Sequence, residues 1–225
     1  MDVEIYNRFA HRYDLVTNLA SLGIEPLWRR LYVKKIKEDF SDGVVADVAT
    51  ATGELVKLLC FSKNYLIDPS EPMLQIAKQK LEKSCPGKEF HYLQTTAEEV
   101  KLPEPVDIIS AFMALRNFDN LEKGVENLTA QLKPGGRFYV VEMVNTGGIF
   151  ANLSLWYIKN IVPVIGKVLA GKDVDFSQLG ESIQQMTPSR IVNALRKSGL
   201  QIVERKKLFP PTAIFVIGEK RNALL

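Results

Sequence analysis

The chain is poor in the residues that build stapled or metal-dependent folds. It has two cysteines, Cys60 and Cys85, in no pairing motif, and two histidines, His11 and His91. That excludes a disulfide-rich scaffold, and such sparse cysteine use suits a reducing cytoplasm. With no C-x-x-C and so few histidines, no metal site is expected. Excess charge is also missing. Lys and Arg number 29 against 26 Asp and Glu, a net +3, too small to argue for nucleic acid as a partner. Long uncharged apolar runs are absent too. The most apolar stretch, 149–170, is interrupted by Lys159, Pro163 and Lys167, short of the ~18 clean residues a spanning helix needs. Neither a basic region nor an apolar run follows Met1, so no secretory signal is expected. What remains is 225 residues, 46% hydrophobic and 24% charged, the size and composition of one globular domain.

The patterning alternates helix and strand. The first forty residues read as two helices. In the second, Ile24, Leu27, Trp28, Leu31 and Ile36 share a face, and Arg29, Arg30, Lys34 and Lys37 lie off it. Apolar runs at 44–48, 65–67, 90–93, 106–110 and 138–141 read as buried strands. Helices are expected over 54–61, 71–83 (with Ser70 as cap) and 121–132, the last stopped by Pro134-Gly135-Gly136. After a helix at 188–198, strands at 200–203 and 213–217 lie too close for a helical crossover, so they pair antiparallel. The fold class is therefore α/β: a mostly parallel sheet with an antiparallel C-terminal hairpin and helices on both faces. That order resembles a Class I methyltransferase. The chain divides into an N-terminal helical segment (1–40), a cofactor-binding core (41–147), a helical cap (148–187) and a C-terminal helix with a strand pair (188–225).

Ligands in such sheets bind at the carboxyl ends of the strands. The first such loop runs from Asp47 through Thr52 and Gly53 to Glu54. Its small residues let a ligand approach the backbone, and Thr52 can cap the next helix or donate its hydroxyl. Asp68, at the end of the second strand, can accept both ribose hydroxyls of a nucleoside. The missing G-x-G-x-x-G disfavours a dinucleotide and, with it, a nicotinamide oxidoreductase.

Beyond this point the residues resemble a family, the ubiquinone/menaquinone biosynthesis C-methyltransferases. The likeness is carried by Tyr13-Asp14, by Gly23-Ile24 with Leu27-Trp28-Arg29-Arg30, by Thr52-Gly53-Glu54-Leu55, by Ala97-Glu98, by Leu115-Arg116-Asn117 and by Leu179-Gly180-Glu181-Ser182-Ile183. It departs where Thr50 and Ala51 replace two glycines, and where Thr96 and Phe112 replace an asparagine and a serine. The resemblance implies methyl transfer from S-adenosylmethionine to a ring carbon of a demethylated polyprenyl quinol, a menaquinol or ubiquinol precursor. It implies Asp47, Thr52, Gly53, Asp68, Thr96, Ala97 and Phe112 at the cofactor, and Tyr13, Asp14, Trp156 and Tyr157 at the acceptor. Carbon attacks only when a ring hydroxyl gives up its proton. Arg116 is expected to stabilise the resulting oxyanion, Asn117 to orient a water, and His11 to offer a near-neutral base. Arginine cannot itself take the proton. Other readings stay open: another lipid or a small phenol as acceptor, or a non-catalytic partner in quinone synthesis. The apolar cap offers a cover for an isoprenoid tail, a weak contact with a membrane surface, or a contact with a second copy of the chain. The expected location is cytoplasmic, at the membrane periphery.

Overall fold

The computed structural model describes residues 3–169, 171 and 177–221. Its strands are β1 (Val44–Val48), β2 (Lys63–Ile67), β3 (Glu89–Leu93), β4 (Val106–Phe112), β5 (Leu132–Met143), β6 (Leu200–Leu208) and β7 (Ala213–Lys220). They form one sheet in the order β3-β2-β1-β4-β5-β7-β6. The first five are parallel, and β7 runs antiparallel between β5 and β6. This is the sheet expected from the sequence. Its strand order reverses between β1 and β4, which opens a crevice at their carboxyl ends.

The helices are α1 (Val3–Phe9), α2 (Tyr13–Ala20), α3 (Ile24–Asp39), α4 (Glu54–Leu59), α5 (Glu71–Ser84), α6 (Leu121–Ala130), α7 (Gly148–Asn160), α8 (Val162–Leu169), α9 (Ser177–Gln185) and α10 (Pro188–Lys197). Single 3-10 turns cover Ala10–Arg12 and Leu115–Asn117. Alternate residues of each strand feed two cores. Ala46, Ile109 and Val140 pack with Val125 and Ile191 on one face. Val45, Ile108 and Val141 pack with Trp28, Tyr32 and Ile36 on the other. Burying each such side chain stabilises the fold by about 1.5–3 kcal/mol before entropy is counted. Ser70 caps α5 by accepting from the Met73 amide, as expected, and Asn120 and Thr187 cap α6 and α10 in the same way.

Several expectations need correction. The first forty residues hold three helices and a turn, not two helices. Leu27 and Leu31 are half exposed, whereas Trp28, Tyr32, Val33 and Ile36 face the core. β5 starts at Leu132, which pairs with Val106 before a register shift. Pro134-Gly135-Gly136 is thus taken into the strand instead of preceding it. Gly136 is required there, because a Cβ would stand 2.9 Å from the Lys133 carbonyl oxygen and 3.0 Å from that of Asp107. Cys60 and Cys85 are joined as a disulfide between the C-terminal ends of α4 and α5. The cysteines therefore no longer argue for a reducing compartment.

In the cap, residues 170 and 172–176 lie outside the described residues. Residues 148–169 are, against expectation, long and apolar enough to cross a membrane by length and composition. They are folded as two helices that meet at Ile161, with α7 against α9 and α8 against α2. Only 17% of the apolar window is buried.

Candidate active site

Two cavities meet at the crevice. The smaller lies over the ends of β1 and β2 and is lined by Tyr6, Asp68, Thr96, Ala97, Asn117 and others. The larger, about 500 Å³, lies between the N-terminal helices and the cap, within the ordinary range of small-molecule sites. Tyr13, Ala49, Ala51, Phe112, Met113 and Arg116 line both. These six residues are the shared wall of the two cavities.

The loop after β1 holds its shape without the glycines. Ala49 and Ala51 take left-handed backbone angles, φ 53° and 48°, which cost about 1–2 kcal/mol for a residue with a Cβ. Three bonds offset that strain. The Thr50 hydroxyl donates to Asp47 Oδ2 (2.7 Å), the Thr50 amide to the Ile67 carbonyl (3.1 Å), and the Ala51 amide to Asp68 Oδ2 (2.9 Å). Asp47 is buried and also accepts from the Ser110 hydroxyl (2.7 Å). Its burial pushes the carboxyl up to about 6 although both hydroxyls favour the charged form. Gly53 opens α4 at φ 75°, and a Cβ there would reach 3.0 Å from that of Ala77. Its role is close packing of α4 on α5.

Asp68 faces the smaller cavity with one oxygen on the Ala51 amide and the other on the Ser70 amide (2.9 Å each). Burial raises its pKa, and the two amides pull it back. A carboxylate has about four acceptor positions, so Asp68 keeps room for two ribose hydroxyls. Arg116 and Asn117 sit on the 3-10 turn after β4. Arg116 Nη1 donates to buried Glu142 and to the Met113 carbonyl (2.9 Å). Burial alone would lower the guanidinium pKa, but Glu142 raises it instead. Arg116 Nε and Asn117 Oδ1 are buried and without a partner among the described residues. A crevice with a carboxylate, an unfilled donor and an unfilled acceptor fits a polar nucleoside ligand.

Other site residues fall elsewhere than expected. His11 is exposed on the first 3-10 turn, which buries Ala10 and leaves His11 and Arg12 outward, and it lines neither cavity. Asp14 is also outside both cavities; it accepts from the Thr52 hydroxyl (2.5 Å) and pairs with Lys80. Thr52 therefore holds Asp14 and does not cap α4, whose N-cap is Gly53. It lines the larger cavity, as does Asp47, while Gly53 lines neither. Tyr13, Trp156 and Tyr157 do line the larger cavity, and the Tyr157 hydroxyl is buried there without a partner among the described residues. Sequence reasoning missed Tyr6, Met113, Glu25 and Arg29. The last two form an ion pair one helical turn apart on α3, both largely buried and both lining the larger cavity. Their spacing of four residues was the available signal.

The sheet order and the paired cavities define a Class I methyltransferase that uses S-adenosylmethionine. The chain matches the ubiE/COQ5 methyltransferase family over residues 2–220 and belongs to that family. It is 28% identical to the ubiquinone/menaquinone biosynthesis C-methyltransferase UbiE of Campylobacter jejuni, covering 95% of both proteins. It is 26% identical to a demethylmenaquinone methyltransferase of Thermotoga maritima, over 95% of this chain and 94% of that protein. Among solved structures it resembles a SAM-dependent methyltransferase of Thermotoga maritima (TM-score 0.66, 17% identity, 97% of this chain and 99% of the other). Another, from Aquifex aeolicus, superposes with a TM-score of 0.58 at 18% identity, over 83% and 87% of the two chains.

Proposed function

We propose that this methyltransferase acts on a ring carbon of a demethylated polyprenyl quinol, a menaquinol or ubiquinol precursor. The observation that carries the reading is the larger cavity: it is mostly apolar, meets the nucleoside crevice at Arg116 and Tyr13, and is rimmed by exposed apolar side chains. S-adenosylmethionine, when bound, supplies an electrophilic methyl group on a sulfonium. Asp68 holds the ribose hydroxyls, with Thr96, Ala97 and Asn117 along the same crevice. Phe112, Met113 and the Ala51 methyl confine the junction where the two ligands face each other. Arg116, fixed by Glu142, stabilises negative charge on the ring oxygen once its proton has left. Burial raises the pKa of Tyr13 and Tyr6, so both stay protonated and can donate to that oxygen or to the ligand. Trp156, Tyr157 and Leu153 flank the ring and the start of its tail.

The tail enters from a membrane surface on which the cap rests. Ile149, Phe150, Leu153, Trp156, Val164 and Val168 on α7 and α8 are exposed, as are Leu15, Leu19 and Leu22 on and just after the adjoining α2. An apolar face of this extent, beside the mouth of the cavity, suits partial insertion into a lipid interface. The protein then works from the aqueous side, as a peripheral protein of the cytoplasm.

The test uses methyl-labelled S-adenosylmethionine with vesicles holding demethylmenaquinol, a demethylated ubiquinol precursor, or the oxidised quinones. Label in one reduced ring and none in the oxidised forms supports the reading and names the ring. Label only in tail-less phenols overturns it. Co-sedimentation with vesicles and a blue shift of Trp156 fluorescence support the membrane contact. Dimerisation in solution that buries Trp156, without vesicle binding, replaces the membrane with a second copy.

A further inference from the structure

The proposed chemistry leaves the ring hydroxyl's proton without an acceptor. His11 lies outside the site, Arg116 cannot take a proton, and the raised phenols of Tyr6 and Tyr13 do not ionise to bases. Three carboxylates line the larger cavity among the described residues: Asp47, Glu54 and Glu25. Asp47 has each oxygen committed to a loop or strand hydroxyl. Glu54 is held by Lys57 and Lys80, which keep its pKa low. Glu25 differs from both. It sits in the first turn of α3, its side chain is 15% exposed, and among the described residues its only side-chain partner is Arg29, on Oε1.

We infer that Glu25 is the base that accepts the hydroxyl proton of the acceptor ring, with Arg29 as its positioning residue. This rests on reading the larger cavity as the acceptor site. The Arg29 guanidinium lies 5.6 Å from the centre of the Phe112 ring, and Phe112 lines both cavities. The pair is thereby anchored beside the junction where the methyl must pass. Charged and titratable groups that face Glu25 come from three helices: Arg29 on its own α3, Tyr13 and Asp14 on α2, and Glu54 on α4. Burial raises the Glu25 pKa, Arg29 opposes the rise, and Asp14 and Glu54 add to it. A carboxylate moved in that direction is a better base near neutral pH.

The step balances as follows. The hydroxyl proton passes to Glu25, and the ring oxygen's electron pair drives the ring carbon onto the methyl. A carbon–carbon bond forms, and the pair of the broken sulfur–carbon bond stays on the sulfur of the departing thioether. The ring carbon then loses its hydrogen to water as a proton, the ring regains aromaticity, and Glu25 returns its proton to the oxygen. One proton is released to solvent for each methyl transferred.

The test compares the wild-type protein with Glu25→Gln and Glu25→Asp. Glu25→Gln keeps the shape and still accepts from Arg29. Its expected turnover of the reduced quinone is about a hundredfold lower, with S-adenosylmethionine affinity unchanged and the acidic limb of the kcat profile gone. Glu25→Asp should recover part of the rate and keep the limb. A second readout needs no turnover: 1-naphthol and 1-methoxynaphthalene are titrated into the S-adenosylhomocysteine-loaded protein. Glu25→Gln should weaken the naphthol about tenfold and leave the ether unchanged. Wild-type-like turnover in Glu25→Gln, or equal weakening of both naphthalenes, overturns the inference. If the wild-type protein methylates no quinol yet the naphthol difference holds, the quinol reading fails and the hydroxyl site at Glu25 stands.

Discussion

Asp14 accepts a hydrogen bond of 2.5 Å from the hydroxyl of Thr52, and this single contact ties the N-terminal helices to the loop after β1. Because Asp14 also pairs with Lys80 of α5, three chain segments converge on one carboxylate. The helices that wall both cavities are therefore coupled to the loop after β1. Thr52→Val keeps the volume and removes the donor. The expected loss is about 1.5–3 kcal/mol of stability, the range for a hydrogen bond to a charged group, read by urea unfolding. Cofactor affinity should fall as well, although Thr52 does not line the nucleoside crevice.

Asp68→Ala should weaken S-adenosylmethionine by about 1–3 kcal/mol, measured by calorimetry. Part of the loss comes from the freed amides of Ala51 and Ser70, so Asp68→Asn is the cleaner probe of the ribose contact. Unchanged affinity in both variants removes Asp68 from the site.

Arg116 and Glu142 must be varied together. Removing one partner of a buried ion pair costs about 3–5 kcal/mol, because the other charge stays buried and alone. Glu142→Leu and Arg116→Met are each expected to destabilise by amounts in that range. The double variant should lose less than their sum, a coupling visible in a denaturation cycle. Turnover should fall in Arg116→Lys more than cofactor affinity does, since a point charge cannot hold Glu142 and the ring oxygen with the same fork.

Asp47 gives the fold a pH dependence of definite sign. Its carboxyl lies at about 6 in the native protein against ~3.9 in an unfolded chain. Its contribution is complete below about pH 4 and is lost as pH rises through 6, a change of about 3 kcal/mol. Asp47→Asn should flatten that part of the stability profile. A wild-type profile equally flat between pH 4 and 7 would show that the carboxyl is not raised.

The core strands were legible because burial on both faces makes them short, nearly continuous apolar runs, each bounded by turn residues. Asp68 was legible because it directly follows β2, where ligands of such sheets bind, and Arg116 because Leu115-Arg116-Asn117 carries the family resemblance. Glu25, Arg29 and His11 were not. The apolar stripe assigned to α3 placed Arg29 with the solvated residues, yet α3 has a second buried face, against the larger cavity, that apolarity does not mark. Only the packing of α2, α3 and the cap creates that cavity. His11 faces solvent because the turn buries Phe9 and Ala10 and leaves the next two side chains exposed. The β5 start was hidden because Pro134 and Gly135 read as a stop; they bulge out of the ladder between the pairs Val106–Leu132 and Ile108–Arg137.

The insertion of β7 between β5 and β6 has a consequence for crowding. It leaves β6 as an outer strand, and an outer strand offers open backbone groups to any passing chain. Here that strand carries Glu204, Arg205, Lys206 and Lys207 and a register irregularity between Ile202 and Glu204. Charge and a broken ladder both deter a second sheet from adding on. At high local density this edge lets copies of the chain stand side by side without polymerising.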